Sequence, residues 1–220
     1  MIGLQGDAPP QEILAWALQH YRGRIALACS FGGPTGIVAL DMAMEIDRTV
    51  PVYYLDTGLL FRETYELVER VADRYGIEPI AVRPDVSLDE QRDRFGDELW
   101  ARDPEACCSI RKVRPQGAFL RGYDAWVSGI RRDQSPWRRD APAVGWDGHF
   151  SLVKVSPFVG WDERMIWTYV RAHGLPYNAL HDRAYPSIGC THCTRAVRAG
   201  EEARAGRWPD RAKTECGLHA

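Results

Sequence analysis

Apolar residues recur along the first half of the chain in a fixed order: a short run, a turn, then a stretch at helical spacing. Residues 24–29 (RIALAC) form the first run, Ser30-Phe31-Gly32-Gly33-Pro34-Thr35 the turn, and residues 36–46 an Ala-, Leu- and Met-rich helix. The order repeats at 50–55, Asp56-Thr57-Gly58 and 61–75, where Leu67, Val68, Val71, Ala72 and Tyr75 share a helix face closed by Gly76. Residues 77–82 predict a third strand, Ser87-Leu88-Asp89-Glu90 a capping box, and 125–128 a fourth strand ending at Gly129. Strands alternating with helices predict an α/β fold with a parallel sheet flanked by helices.

Beyond residue 140 the pattern thins to a strand at 151–155 and an amphipathic helix at 162–173, stopped by Gly174 and Pro176. Residues 185–220 hold Gly, Arg, Cys and His with little apolar periodicity and read as an irregular tail that builds a site. The chain therefore divides into an α/β body at 1–184, which includes Cys107-Cys108, and a Cys/Arg-rich segment at 185–220.

The 220 residues suffice for one good core, and a formal charge of -2 gives no overall pull toward nucleic acid or membranes. No apolar run approaches the roughly 20 residues that span a bilayer, and MIGLQGDAPP has neither a basic nor an apolar leader region. A soluble cytoplasmic protein is expected. In a reducing compartment the six cysteines (29, 107, 108, 190, 193 and 216) are more often ligands or catalysts than disulfides.

Cys107-Cys108 and the distant Cys190-Thr191-His192-Cys193 supply four thiolates, the number required by tetrahedral zinc or a 4Fe-4S cluster. Adjacent side chains diverge and suit separate iron corners better than one small ion, so the pair favours the cluster; zinc and plain buried thiols are the alternatives. Cys216 lies near the C-terminus, where segments are normally mobile and exposed. His219, Arg204 and Arg207 would lower its pKa and Glu215 would raise it. Cys29 reads as a buried strand residue.

The turn at 30–35 is not a phosphate-loop consensus, but its place between strand and helix lets backbone N–H groups face an anion. Arginines gather at Arg111-Lys112 with Arg114, at Arg131-Arg132 with Arg138 and Arg139, and at Arg195, Arg198, Arg204 and Arg207. Each group is a seat for phosphate or sulfate oxygens or, taken singly, a solvated charged face.

Together these segments resemble the sulfonucleotide reductases, specifically the bacterial assimilatory adenylyl-sulfate reductases, from about Ala26 to His219. The resemblance rests on Ser30-Phe31, Leu55-Asp56-Thr57-Gly58, Glu63-Thr64-Tyr65, Cys107-Cys108 with Arg111-Lys112, and Trp126-Val127-Ser128-Gly129 with Arg131-Arg132-Asp133-Gln134-Ser135. It continues through Pro176-Tyr177-Asn178, Tyr185-Pro186-Ser187-Ile188-Gly189-Cys190, Cys193-Thr194-Arg195, Gly206-Arg207-Trp208 and Glu215-Cys216-Gly217-Leu218-His219.

The resemblance implies an adenine nucleotide alpha-hydrolase-like fold with the nucleotide at the strand C-termini. It implies that Cys107, Cys108, Cys190 and Cys193 ligate a 4Fe-4S cluster and that Cys216 is the nucleophile. Lys112, Arg204, Arg207 and His219 would surround the phosphosulfate, Leu55 and Gly129 would contact adenosine through their main chains, and Ser30 and Gly33 would border the nucleotide. The implied reaction is attack of Cys216 on the sulfate sulfur, loss of AMP, and thioredoxin-driven release of sulfite from an S-sulfocysteine. The family includes homo-oligomers, though no interface signal stands out here.

Many cluster-bearing members carry an acidic pair in the first loop where this chain has Gly32-Gly33-Pro34-Thr35, which keeps 3'-phosphoadenylyl sulfate as the rival substrate. A zinc-dependent nucleic-acid module and a tRNA thiolation enzyme are more distant alternatives; neither accounts for Glu-Cys-Gly-Leu-His at the C-terminus, and the net charge is not basic.

Overall fold

The computed structural model describes residues 8–209, 211 and 213–219. The start of the chain at 1–7, on which the expectation of no leader rested, lies outside the described residues, as do Asp210, Ala212 and Ala220.

Six strands form one sheet in the order β3-β2-β1-β4-β6-β5. They are β1 (Ile25–Ala28), β2 (Val52–Leu55), β3 (Ile80–Val82), β4 (Ala125–Val127), β5 (Val144–Asp147) and β6 (Leu152–Val155). All pair in parallel except β5, which returns antiparallel on β6. β1 and β4 are buried along almost their whole length because helices cover both sheet faces, which is why they are continuously apolar rather than alternating.

α2 (Pro34–Ile46) is buried on nearly all sides and correspondingly apolar throughout. α3 (Arg62–Tyr75) instead turns a stripe of Leu67, Val71 and Tyr75 inward, and Gly76 ends it at φ 63°, where a side chain would be strained. The capping box of α4 (Leu88–Phe95) forms: Glu90 N–H donates to Ser87 Oγ at 3.1 Å and Ser87 N–H to Glu90 at 2.8 Å. Asp162 caps α8 (Glu163–Ala172) by accepting from Met165 N–H at 2.7 Å.

Three features depart from the expectation. α1 (Pro10–His20) precedes β1 and packs Ile13, Leu14, Ala17 and Leu18 into the core, a helix that a strand-led reading passes over. β5 makes the sheet mixed; its Val144-Gly145-Trp146-Asp147 lacks a buried alternation, and Trp146 is 70% exposed at the edge. Between α4 and β4 the chain winds through α5 (Leu99–Arg102), α6 (Pro104–Cys108), a π-helical turn (Ser109–Val113) and α7 (Arg114–Leu120). No helix among the described residues is long and apolar enough to cross a membrane.

Candidate active site

The chain leaves β1 for β2 and β3 on one side, then crosses back to β4 on the other, so the loops after β1 and β4 diverge. A cleft of about 310 Å³ opens at this switch point, where open α/β sheets hold ligands. Ser30 and Gly33 follow β1, Leu55 ends β2, and Gly129 follows β4; all four line it. Gly129 must lack a side chain, because a Cβ there would lie 3.2 Å from Gly36 N and 3.4 Å from Thr35 C.

The tail closes the other side. Cys190 bridges to Leu60, Thr194 to Arg207, and Trp208 N–H donates to the Cys193 carbonyl at 3.0 Å. This path brings Lys112, Arg204, Arg207, Cys216 and His219 to the cleft wall. Every sequence-proposed substrate residue thus lines one cavity.

The arginine groups separate by burial and partner. Arg111 is inward, donating to the Thr57 carbonyl at 2.6 Å and to Gln91 Oε1 at 3.1 Å, so it ties α4 to the loop after β2 rather than facing an anion. Arg131 is spent on Thr35 Oγ1 at 2.7 Å and Asp133 at 2.9 Å, Arg132 on the Ala141 carbonyl at 3.0 Å, and Arg195 on Glu201 at 2.7 Å. These four are engaged within the protein, although Arg131 also borders the cleft, while Arg114, Arg139 and Arg198 are exposed as a solvated face would be. Lys112 and Arg207 make no ion pair with a carboxylate among the described residues, and Arg207 Nε is buried without a partner. Burial would lower the Lys112 pKa, but the neighbouring Cys190, Cys216 and Cys108 outweigh it and hold the ammonium above its ordinary range.

Two expectations about Cys216 change. The tail is docked and Cys216 is half-buried rather than exposed. His219 supplies no cation: burial, with Lys154, Arg138 and Arg204 nearby, pushes its pKa well below the ordinary value and leaves the imidazole neutral. It stacks parallel to Trp126, with Nδ1 3.2 Å from Lys154 Nζ. Glu215 is paired with Arg138 at 2.7 Å and Arg204 at 3.4 Å, which offsets its charge beside the thiol. Lys154 was not singled out from sequence, although a lysine in the apolar run Leu152-Val153-Lys154-Val155 is a visible signal.

Cys107, Cys108, Cys190 and Cys193 are all buried and none is in a disulfide. Cys108, Cys190 and Cys193 pack with Leu59 and Trp208; Cys107 packs with Leu99 and Ile110; Trp100 touches both groups. Burial, followed by the neighbouring cysteines, pushes Cys107 up to about 12; burial takes Cys108 to about 11. Converging thiols of this kind require a bound cation to become thiolates. Four buried thiols gathered around Leu59, Trp100 and Trp208 are a donor set that tetrahedral zinc or a 4Fe-4S cluster could use. Cys29 is buried in the core, where its thiol is pushed up to about 12.

The model of the phosphoadenosine phosphosulfate reductase domain matches residues 24–196. The chain belongs to that family. Within this reductase family it is similar to an adenosine 5'-phosphosulfate reductase of Shouchella clausii (strain KSM-K16), 50% identical over 95% of this chain and 87% of the relative. It is likewise similar to adenosine 5'-phosphosulfate reductase 2 of Bacillus subtilis (strain 168), 47% identical over 94% and 88%. Among solved structures, phosphoadenylyl-sulfate reductase from Candida auris, in a phosphate complex, aligns with TM-score 0.75 and 29% identity over 87% of this chain and 91% of that one. FMN adenylyltransferase from Candida glabrata shares the fold at 15% identity and TM-score 0.63, over 89% and 69%.

Proposed function

We propose that this sulfonucleotide reductase of sulfate assimilation converts adenosine 5'-phosphosulfate to sulfite and AMP, with Cys216 as nucleophile and thioredoxin as electron donor. The observation that carries the reading is the docking of Cys216 in the cleft that also presents Lys112, Arg204 and Arg207. Adenosine would lie across the strand ends at Leu55 and Gly129, beside Ser30 and Gly33. The preference for the nucleotide without a 3'-phosphate is drawn from the names of the relatives.

The Cys216 thiolate attacks the sulfate sulfur; an S–S bond forms, the S–O bond to AMP breaks, and AMP departs with that electron pair. Lys112, Arg204 and Arg207 offset the charge of the two anions as they approach and the charge growing on the leaving phosphate. Neutral His219 offers hydrogen bonding without adding charge. A thioredoxin thiolate then attacks Cys216 Sγ, expelling sulfite and leaving a mixed disulfide. Its second thiol resolves that bond, so two electrons pass from the dithiol and Cys216 returns as thiolate.

Cys107, Cys108, Cys190 and Cys193 would hold a 4Fe-4S cluster, which supplies fixed local charge and a covalent tie between the α6 helix and the tail. Anaerobic turnover with each sulfonucleotide tests the reading. Sulfite and AMP in equal amounts, with adenosine 5'-phosphosulfate preferred in kcat/KM, is the expected result; preference for the 3'-phosphorylated nucleotide overturns the substrate assignment.

A further inference from the structure

The residues on either side of Cys216 are gripped by the body of the protein. Upstream, the Glu215 carboxylate accepts from Arg138 at 2.7 and 3.1 Å and from Ser135 Oγ at 3.0 Å, while Arg204 lies 3.4 Å away. The Arg204 guanidinium also donates to the Thr214 carbonyl. The side chains of Arg138 and Glu215 are only 10% and 15% exposed, so the pair is largely withdrawn from solvent. Downstream, His219 is fixed between Trp126 and Lys154. Gly217, at φ 81°, turns the chain between the two grips, and a Cβ there would meet Val113 Cγ2 at 3.4 Å. The loop after β4 therefore holds the one residue that directly precedes the thiol.

We infer that Arg138 and Ser135 are positioning residues for the nucleophile: by clamping Glu215 they seat Cys216 against the bound sulfonucleotide, and the same clamp must open before a reductant protein can reach the covalent adduct. The inference rests on Cys216 being the nucleophile. Carboxylate and guanidinium form a bidentate, charge-assisted pair whose geometry is more demanding than a point charge, which suits a device that fixes one sulfur atom. Because the pair is withdrawn from solvent, loss of Arg138 leaves the buried Glu215 only Arg204 at 3.4 Å and Ser135, and loss of Glu215 leaves two largely buried guanidiniums without their carboxylate, so the docked tail becomes the less favourable state. Arg204 has two claims on it, Glu215 and the incoming anion. Substrate that draws Arg204 away leaves Arg138 and Ser135 to keep Glu215 in place, with Arg138 itself at the cleft wall.

The half-reactions separate this role from a general structural one. With intact, iron-loaded protein and no thioredoxin, wild type should release one equivalent of AMP and carry one sulfonate on Cys216. Glu215→Gln and Arg138→Gln should slow that burst on the order of 100-fold, the scale of a misplaced reacting group. Nucleotide affinity should be unchanged or, in Glu215→Gln, tighter, since two arginines are released. Iodoacetamide should label Cys216 faster in both variants. Sulfite release by reduced thioredoxin from the preformed adduct should be as fast as wild type or faster, and Arg138→Lys should restore part of the burst. Ser135→Ala, which removes one neutral hydrogen bond, should slow the burst less than either charge change and serves if the others fail to fold. Wild-type burst and labelling rates in the folded variants, or equal slowing of both half-reactions, overturn the clamp. Absence of a Cys216 adduct in wild type would instead overturn the assignment of the nucleophile.

Discussion

The sheet body and the segment from 185 onward are held together by different forces. In the body, Leu27, Val38, Leu40, Val71, Val127 and Phe158 lie in a continuous apolar core, and its stability comes from burial. The tail brings little apolar mass; among its described residues Trp208 is the one large side chain in a core cluster, and that cluster consists mostly of cysteines. What fixes the tail is polar: Arg204 with Thr214 and Glu215, Glu215 with Arg138, His219 with Lys154, Lys213 with Glu105. A tail held by ion pairs can be released and seated again, as the proposed role of Cys216 toward a buried substrate and then a protein reductant requires.

The largest effect expected on the tail side is total: Cys216→Ser should abolish sulfite formation while nucleotide binding and iron content persist, because an alkoxide is far harder to form than a thiolate. Steady turnover by that variant, read as sulfite, would remove the distinction between seat and nucleophile. Cys190→Ser or Cys193→Ser should lose iron and open residues 185–219 to protease, with the sheet intact by circular dichroism; Cys29→Ala should retain its iron. Stoichiometric zinc with full activity in anaerobically prepared protein would defeat the cluster assignment.

Lys112→Ala and Arg207→Ala should each lower kcat/KM on the order of 100-fold, since each removes a cation aimed at developing charge, with the melting temperature little changed. In the body the effects reverse. Phe158→Ala, at a fully buried site, should cost about 3–5 kcal/mol of stability in denaturant unfolding, yet leave kcat/KM near wild type where the protein is folded.

The smallest effect concerns pH. Burial would raise the Glu215 pKa, but its bonds to Arg138, the charges of Arg138 and Arg204 and the bond to Ser135 reverse this and hold it below the ordinary range; the Lys154 ammonium also faces it. A depressed carboxylate pKa stabilises docking above the ordinary glutamate value of about 4.3 and loses that contribution as pH falls below it. Cys216 labelling, corrected for the thiolate fraction, should rise a few-fold across that fall while sheet circular dichroism holds. A flat profile would mean that the clamp contributes little.

The alternation of runs and turns in residues 24–128 determined the α/β class, β1 to β4, α2, α3 and the start of α4, because a strand buried on both faces and a helix with one apolar stripe leave local signatures. The residue types and the family resemblance also marked Cys107, Cys108, Cys190, Cys193, Cys216, Lys112, Arg204 and Arg207. Only the tertiary structure decided which arginines are paired within the protein: Arg111 and Arg131 are buried by partners far along the chain, and Arg138 meets its partner 77 residues away. It also reversed the reading of His219, whose neutral state follows from burial and from Lys154, Arg138 and Arg204. Periodicity is a property of neighbours in sequence, so the chain displays it; charge state and pairing are set by neighbours in space, which only the folded chain brings together.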